Sequence, residues 1–96
     1  MKVRWSPEAY ADLDNLREWV ARQRPDASAR VAARIVQASR HLGQFPNSGK
    51  VGRVPESREA PVPGVPWILQ YRIKDNHVEI IRVIHGAQNF PEDPGD

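Results

Sequence analysis

Trp67-Ile68-Leu69-Gln70-Tyr71-Arg72-Ile73-Lys74-Asp75-Asn76-His77-Val78-Glu79-Ile80-Ile81-Arg82-Val83-Ile84-His85 holds two runs rich in β-branched and aromatic residues, joined by a pair that tolerates positive φ. Such a pair closes a β-hairpin, because a two-residue turn with both φ angles positive matches the twist of the flanking strands. With Asp75-Asn76 as the turn, Lys74 opposes His77, Arg72 opposes Glu79 and, counting on in step, Trp67 opposes Ile84. One face then carries Trp67, Leu69, Tyr71 and Ile73 with Ile84, Arg82, Ile80 and Val78. The other carries Ile68, Gln70, Arg72 and Lys74 with His77, Glu79, Ile81, Val83 and His85, a mixed surface suited to docking. The more apolar face needs a second layer to cover it.

Upstream, the periodicity changes from two to about 3.6. Val3 and Trp5 alternate with Lys2 and Arg4 as one short strand, after which Ser6-Pro7 opens a helix. A serine hydroxyl caps free helix amides, and proline fits the first helical position, where its missing N–H costs nothing. Ala9, Leu13, Leu16 and Val20 recur on one face, with Trp19 beside them, until Pro25 disfavours helical geometry at Arg24. Asp26 is placed to cap a second helix, in which Val31, Ile35, Ala38 and Leu42 repeat the spacing and Gly43 supplies the stop. The short link predicts an antiparallel helical hairpin whose two stripes turn toward a common third element. Residues 44–56, with Pro46, Gly49, Gly52 and Pro55, read as a loop, and residues 56–62 as a strand confined by Pro61 to an edge or an end. The predicted order is β-α-α-β-β-β, an α+β fold with the helical hairpin packed on a small antiparallel sheet.

A chain of 96 residues fills a single domain, here residues 1–90, with 91–96 reading as an acidic mobile tail. The absence of cysteine removes disulfides, thiolate nucleophiles and cysteine-ligated zinc, and suits a reducing cytoplasm. The start lacks the apolar run of a signal peptide, and no uncharged stretch approaches about 18 residues, so a cytoplasmic chain with no membrane partner is expected. Three of the 12 acids, Glu92, Asp93 and Asp96, lie in the last five residues, which leaves nine against the 14 basic residues of the body. Most of those bases are arginine, whose planar fork suits carboxylate and phosphate, so an acidic partner or a nucleic-acid-associated target fits.

His41, His77 and His85 show no metal-ligand spacing, and the glycines form neither a phosphate loop nor a dinucleotide fingerprint, so neither metal nor cofactor is expected. No serine sits in a nucleophile-elbow context. Arg30, Arg34, Gln37 and His41 line one face of the second helix, either as a solvated face or as a contact for an acidic partner or phosphate. Arg82 interrupts Ile80-Ile81-Arg82-Val83-Ile84 and needs a carboxylate, for which Glu59 is the candidate; a direct contact with a target is the alternative. His85, at the end of the last strand before Gly86, Gln88 and Asn89, either serves a site or merely ends the strand.

Taken in order, these residues resemble the ParE/RelE superfamily of toxins from type II toxin-antitoxin systems. The resemblance rests on Arg58-Glu59, on the strand from Trp67 to Ile73 around Tyr71, and on the run from Val78 to Gln88. In the helical half it rests on Ser6-Pro7-Glu8-Ala9, the Leu13-Leu16 spacing and Phe45-Pro46-Asn47-Ser48-Gly49. It covers roughly residues 2 to 90.

The resemblance implies a toxin held silent in a hetero-oligomer by a cognate antitoxin, often acidic, that wraps around it. RelE-like members cut mRNA on the ribosome with clustered Lys and Arg; ParE-like members inhibit DNA gyrase and carry a longer helical hairpin without that cluster. Where RNA-cleaving relatives commonly carry basic residues, this chain has Ile68, Glu59, Pro61, Ala87 and Gln88, so the ParE-like function, a gyrase inhibitor acting by binding, is the expectation. The first alternative is a ribosome-dependent mRNA endonuclease using Arg58, Arg72 and His85; the second is a non-toxic interaction module. Arg30, Arg34, Arg72, His85, Gln88 and Asn89 are the residues expected to meet the target or the antitoxin, with Glu59 and Arg82 as a structural ion pair.

Overall fold

Asp75 and Asn76 turn the chain with φ of 50° and 68°, both in the left-handed region, and the strands they join are the longest of the molecule. The computed structural model describes residues 1–86. Its elements are β1 (Lys2–Trp5), α1 (Pro7–Gln23), α2 (Ser28–Gln44), β2 (Lys50–Val51), β3 (Arg58–Pro61), β4 (Trp67–Lys74) and β5 (His77–His85). The strands form one sheet in the order β1-β5-β4-β3-β2. The hairpin neighbours are antiparallel, but β1 runs parallel to β5, a pairing that needs a long crossover connection such as the chain between them provides. The α+β fold is the expected one. The extra strand β2 lies in the stretch read as loop: two residues are too few to show any period, and they pair only because β3 offers an edge.

The hairpin register holds as far as Tyr71, which faces Ile80. Beyond it a β-bulge inserts Ile81, so that Gln70 faces Arg82, Leu69 faces Val83 and Trp67 faces His85 rather than Ile84. One added residue exchanges the two faces of the strand. Val83 therefore joins Leu69 in the core, and Arg82 and Ile84 move to the face assigned to Ile68 and Gln70. The cause lies outside the hairpin. β1 ends opposite Ile80, and Ser6, which follows it, donates its amide to the Ile80 carbonyl at 2.9 Å and its hydroxyl to the Ile81 carbonyl at 2.8 Å. The same hydroxyl accepts from the Ala9 amide at 3.0 Å, so one side chain caps α1 and ties down the bulge.

Ala9, Leu16 and Val20 of α1 and Ile35 and Leu42 of α2 pack on Leu69, Tyr71, Val78 and Ile80 of the sheet. Two expected helix signals behave otherwise. Asp26 does not cap α2: the cap position is Ala27, with no side-chain bond, and Ser28 instead donates to the Arg17 carbonyl at 2.8 Å, joining the helices. Gly43 does not stop α2, which continues through it to Gln44. Its role is close approach, since a Cβ there would lie 2.7 Å from the Met1 carbonyl oxygen and 2.9 Å from Val3.

Candidate functional site

Three neighbouring strand pairs align a polar row across the sheet: Lys50 with Glu59, Glu59 with Gln70, and Gln70 with Arg82. The bulge thus brings Glu59 and Arg82 onto one row, but they do not form the expected ion pair. Two strand spacings, about 10 Å, separate their backbones, and Gln70 stands between them.

Each finds another partner. Arg53, from the loop before β3, bonds Glu59 through its backbone amide at 3.0 Å, Nε at 2.8 Å and Nη2 at 3.0 Å. Asp12 of α1 accepts from Arg82 Nε at 2.7 Å and Nη2 at 3.0 Å, and also from the Val83 amide at 2.9 Å. Burial pushes the Glu59 carboxyl up, but the Arg53 bonds outweigh it and hold it below the ordinary value. The hydrogen bonds that Arg82 donates to Asp12, against the cost of burial, raise Arg82 above its ordinary value. Asp12 could be suspected from sequence, because it falls three residues after Ala9 and so borders the buried stripe. Arg53 lies in an aperiodic loop and leaves no such signal.

The groups proposed for phosphodiester chemistry are dispersed. Arg58 faces Tyr71 on the helix side and bonds the Gly49 carbonyl at 2.8 Å. Tyr71 is fully buried; its hydroxyl donates to the Pro46 carbonyl at 2.7 Å and accepts from the Gly49 amide at 2.9 Å. Arg72, one residue on, points to the opposite face, where its Nε lies 3.5 Å from Glu79. His85 is at the far end of the sheet, edge-on to Trp67 with ring centroids 5.4 Å apart.

His85 and Trp67 line a groove of about 530 Å³ between α1 and the end of β5, with Asp12, Trp19, Arg22 and Arg82. Trp19 stands edge-on to Trp67 at 6.2 Å and is about half exposed. Arg30 and Arg34 are exposed on α2, Arg30 bonded to the Asp26 carbonyl at 3.0 Å and Arg34 to that of Pro63 at 3.4 Å. Gln88, Asn89 and the 91–96 tail lie outside the described residues. Among the described residues no three His, Asp or Glu side chains gather as metal ligands, and no helix is long and apolar enough to cross a membrane.

The fold and these residues can be set beside known proteins. Y4kP of Sinorhizobium fredii is 38% identical over 91 residues, 95% of this chain and 94% of that protein. Toxin RelE2 of Caulobacter vibrioides is 30% identical over 87 residues, 91% of this chain and 97% of its own. Among solved structures, a chain of the chromosomal ParDE toxin-antitoxin system from P. aeruginosa superposes with a TM-score of 0.84 at 25% identity, covering 88% of this chain and 95% of that one. The family model of the ParE toxin of the type II toxin-antitoxin system parDE matches residues 3–90. The two-helix layer on a sheet built around the Tyr71 hairpin is thus that of a type II toxin of the ParE/RelE kind, and the chain belongs to the ParE toxin family.

Proposed function

We propose that this toxin acts by binding DNA gyrase and is held silent by a cognate antitoxin. The observation that carries the reading is the separation of Arg58, Arg72 and His85. Cleaving a phosphodiester requires a base and charge-stabilising groups within hydrogen-bond reach of one phosphate. Arg58 and Arg72 occupy opposite faces of the sheet. His85 faces Trp67, five residues along β4 from Arg72, a separation of about 17 Å. The Tyr71 hydroxyl has both a donor and an acceptor inside the protein and cannot reach an RNA. Docking on a large enzyme needs no such convergence.

The groove of Trp19, Trp67 and His85 is the surface best shaped for an antitoxin segment, since aromatic side chains at a concave site supply the anchors of protein interfaces. The α2 arginines lie on another surface and are assigned to the target. The purified chain is expected to inhibit gyrase supercoiling of relaxed plasmid and to leave a cell-free translation extract untouched. Arrest of translation, with primer extension showing cuts in ribosome-bound mRNA, would sink the reading.

A further inference from the structure

The exposed face of the sheet carries a second arrangement, separate from the groove and independent of the choice of target. At the turn end, β1, β5 and β4 align in two successive rows. The first places Lys2 beside His77 and His77 beside Lys74; the second places Arg4 beside Glu79 and Glu79 beside Arg72. All six side chains share the face opposite Val3, Val78 and Tyr71, which are in or against the core. The rows hold four fixed cations against one acid, Glu79, and Asp75 of the turn borders them. Lys2, Arg4 and Lys74 are exposed and make no ion pair among the described residues, while Glu79 is engaged by Arg72.

We propose that these two rows form a contact for the phosphate backbone of duplex DNA. Three strands span about 10 Å and same-face rows repeat every 7 Å or so, a patch the size of a short stretch of one backbone strand. Its chemistry favours phosphates over a protein surface, because a protein interface needs an apolar centre and these rows contain no aliphatic or aromatic anchor. Single strands are captured on stacking aromatics, and here Trp5, Trp67 and Tyr71 belong to the helix side. Readers of duplex RNA bridge successive grooves over about 16 base pairs, which a patch this small cannot do.

The full chain, purified free of partner proteins, is titrated against a labelled 30-base-pair DNA duplex at increasing salt. Log affinity is expected to fall with log salt at a slope near −3, from about 0.9 per neutralised phosphate. K2Q combined with K74Q, shown to be folded by an unchanged thermal transition, should flatten that slope by about 1.8. Glu79→Gln should tighten binding by about twofold to fivefold, a gain that misfolding cannot mimic. Absence of salt-sensitive binding at 50 mM salt, or affinity indifferent to both variants, would overturn the proposal. So would tighter binding of polyglutamate, which would make the patch a site for an acidic protein, or of duplex RNA over DNA.

Discussion

Glu59 shows how a single side chain is kept charged inside this protein. It is 4% exposed, and its bonds to Arg53 make the ionised form the better one there. The native carboxyl therefore titrates below the unfolded one, whose ordinary value is 4.5. Across that interval the unfolded chain binds the extra proton, so stability rises with pH. The contribution is fully present above about pH 4.5 and is lost as pH falls through the lowered native value. Glu59→Gln removes the charge and keeps the shape. Urea unfolding at pH 7 should show a loss of about 1–3 kcal/mol, and the difference from the parent should shrink toward pH 3. A gap that is constant with pH would mean that the charge does not matter. The sequence suggested Glu59 as the partner of Arg82, and that pairing fails because the groups that neutralise them, Arg53 and Asp12, arrive from other elements.

At the scale of elements, α2 and β1 meet at Gly43. In an isolated helix, Gly→Ala is favourable by about 1 kcal/mol. Here the added methyl would meet the Met1 carbonyl oxygen at 2.7 Å, which is backbone and cannot rotate away. Gly43→Ala should therefore lower the melting temperature by several degrees despite the propensity gain, since about 1 kcal/mol corresponds to 4–8 °C for a domain of this size. A higher melting temperature would show that β1 is free to shift.

The same elements show what the sequence made legible. Alternation around Asp75-Asn76 and the stripes of Leu13-Leu16 and Ile35-Leu42 are local periodicities, and they predicted the hairpin and the helices. The bulge at Ile81 answers to Ser6, 75 residues earlier. No window along the hairpin contains that partner, so the register beyond Tyr71 and the faces of Val83 and His85 were misread.

For the whole molecule, the proposed function divides among separate surfaces: a groove with Trp19, Trp67 and His85, a basic helix face with Arg30 and Arg34, and the exposed sheet with Arg72. The sequence named residues from all three without indicating that they are apart, since that depends on strand order and on the face exchange at the bulge. The division has a measurable outcome. His85→Gln is expected to preserve growth arrest on induction while raising the level of antitoxin needed for rescue, read as colony formation across an antitoxin induction series. A nuclease that relied on His85 would lose arrest instead.

The stop of β1 opposite Ile80 bares the outer margin of the rest of β5, and a bare margin ordinarily recruits a second chain into the sheet. The Ser6 hydroxyl occupies the Ile81 carbonyl there and the Asp12 carboxylate the Val83 amide, so two side chains of the adjoining helix stand in for an absent neighbour. A strand from a second copy would have to displace both before it could pair along this margin.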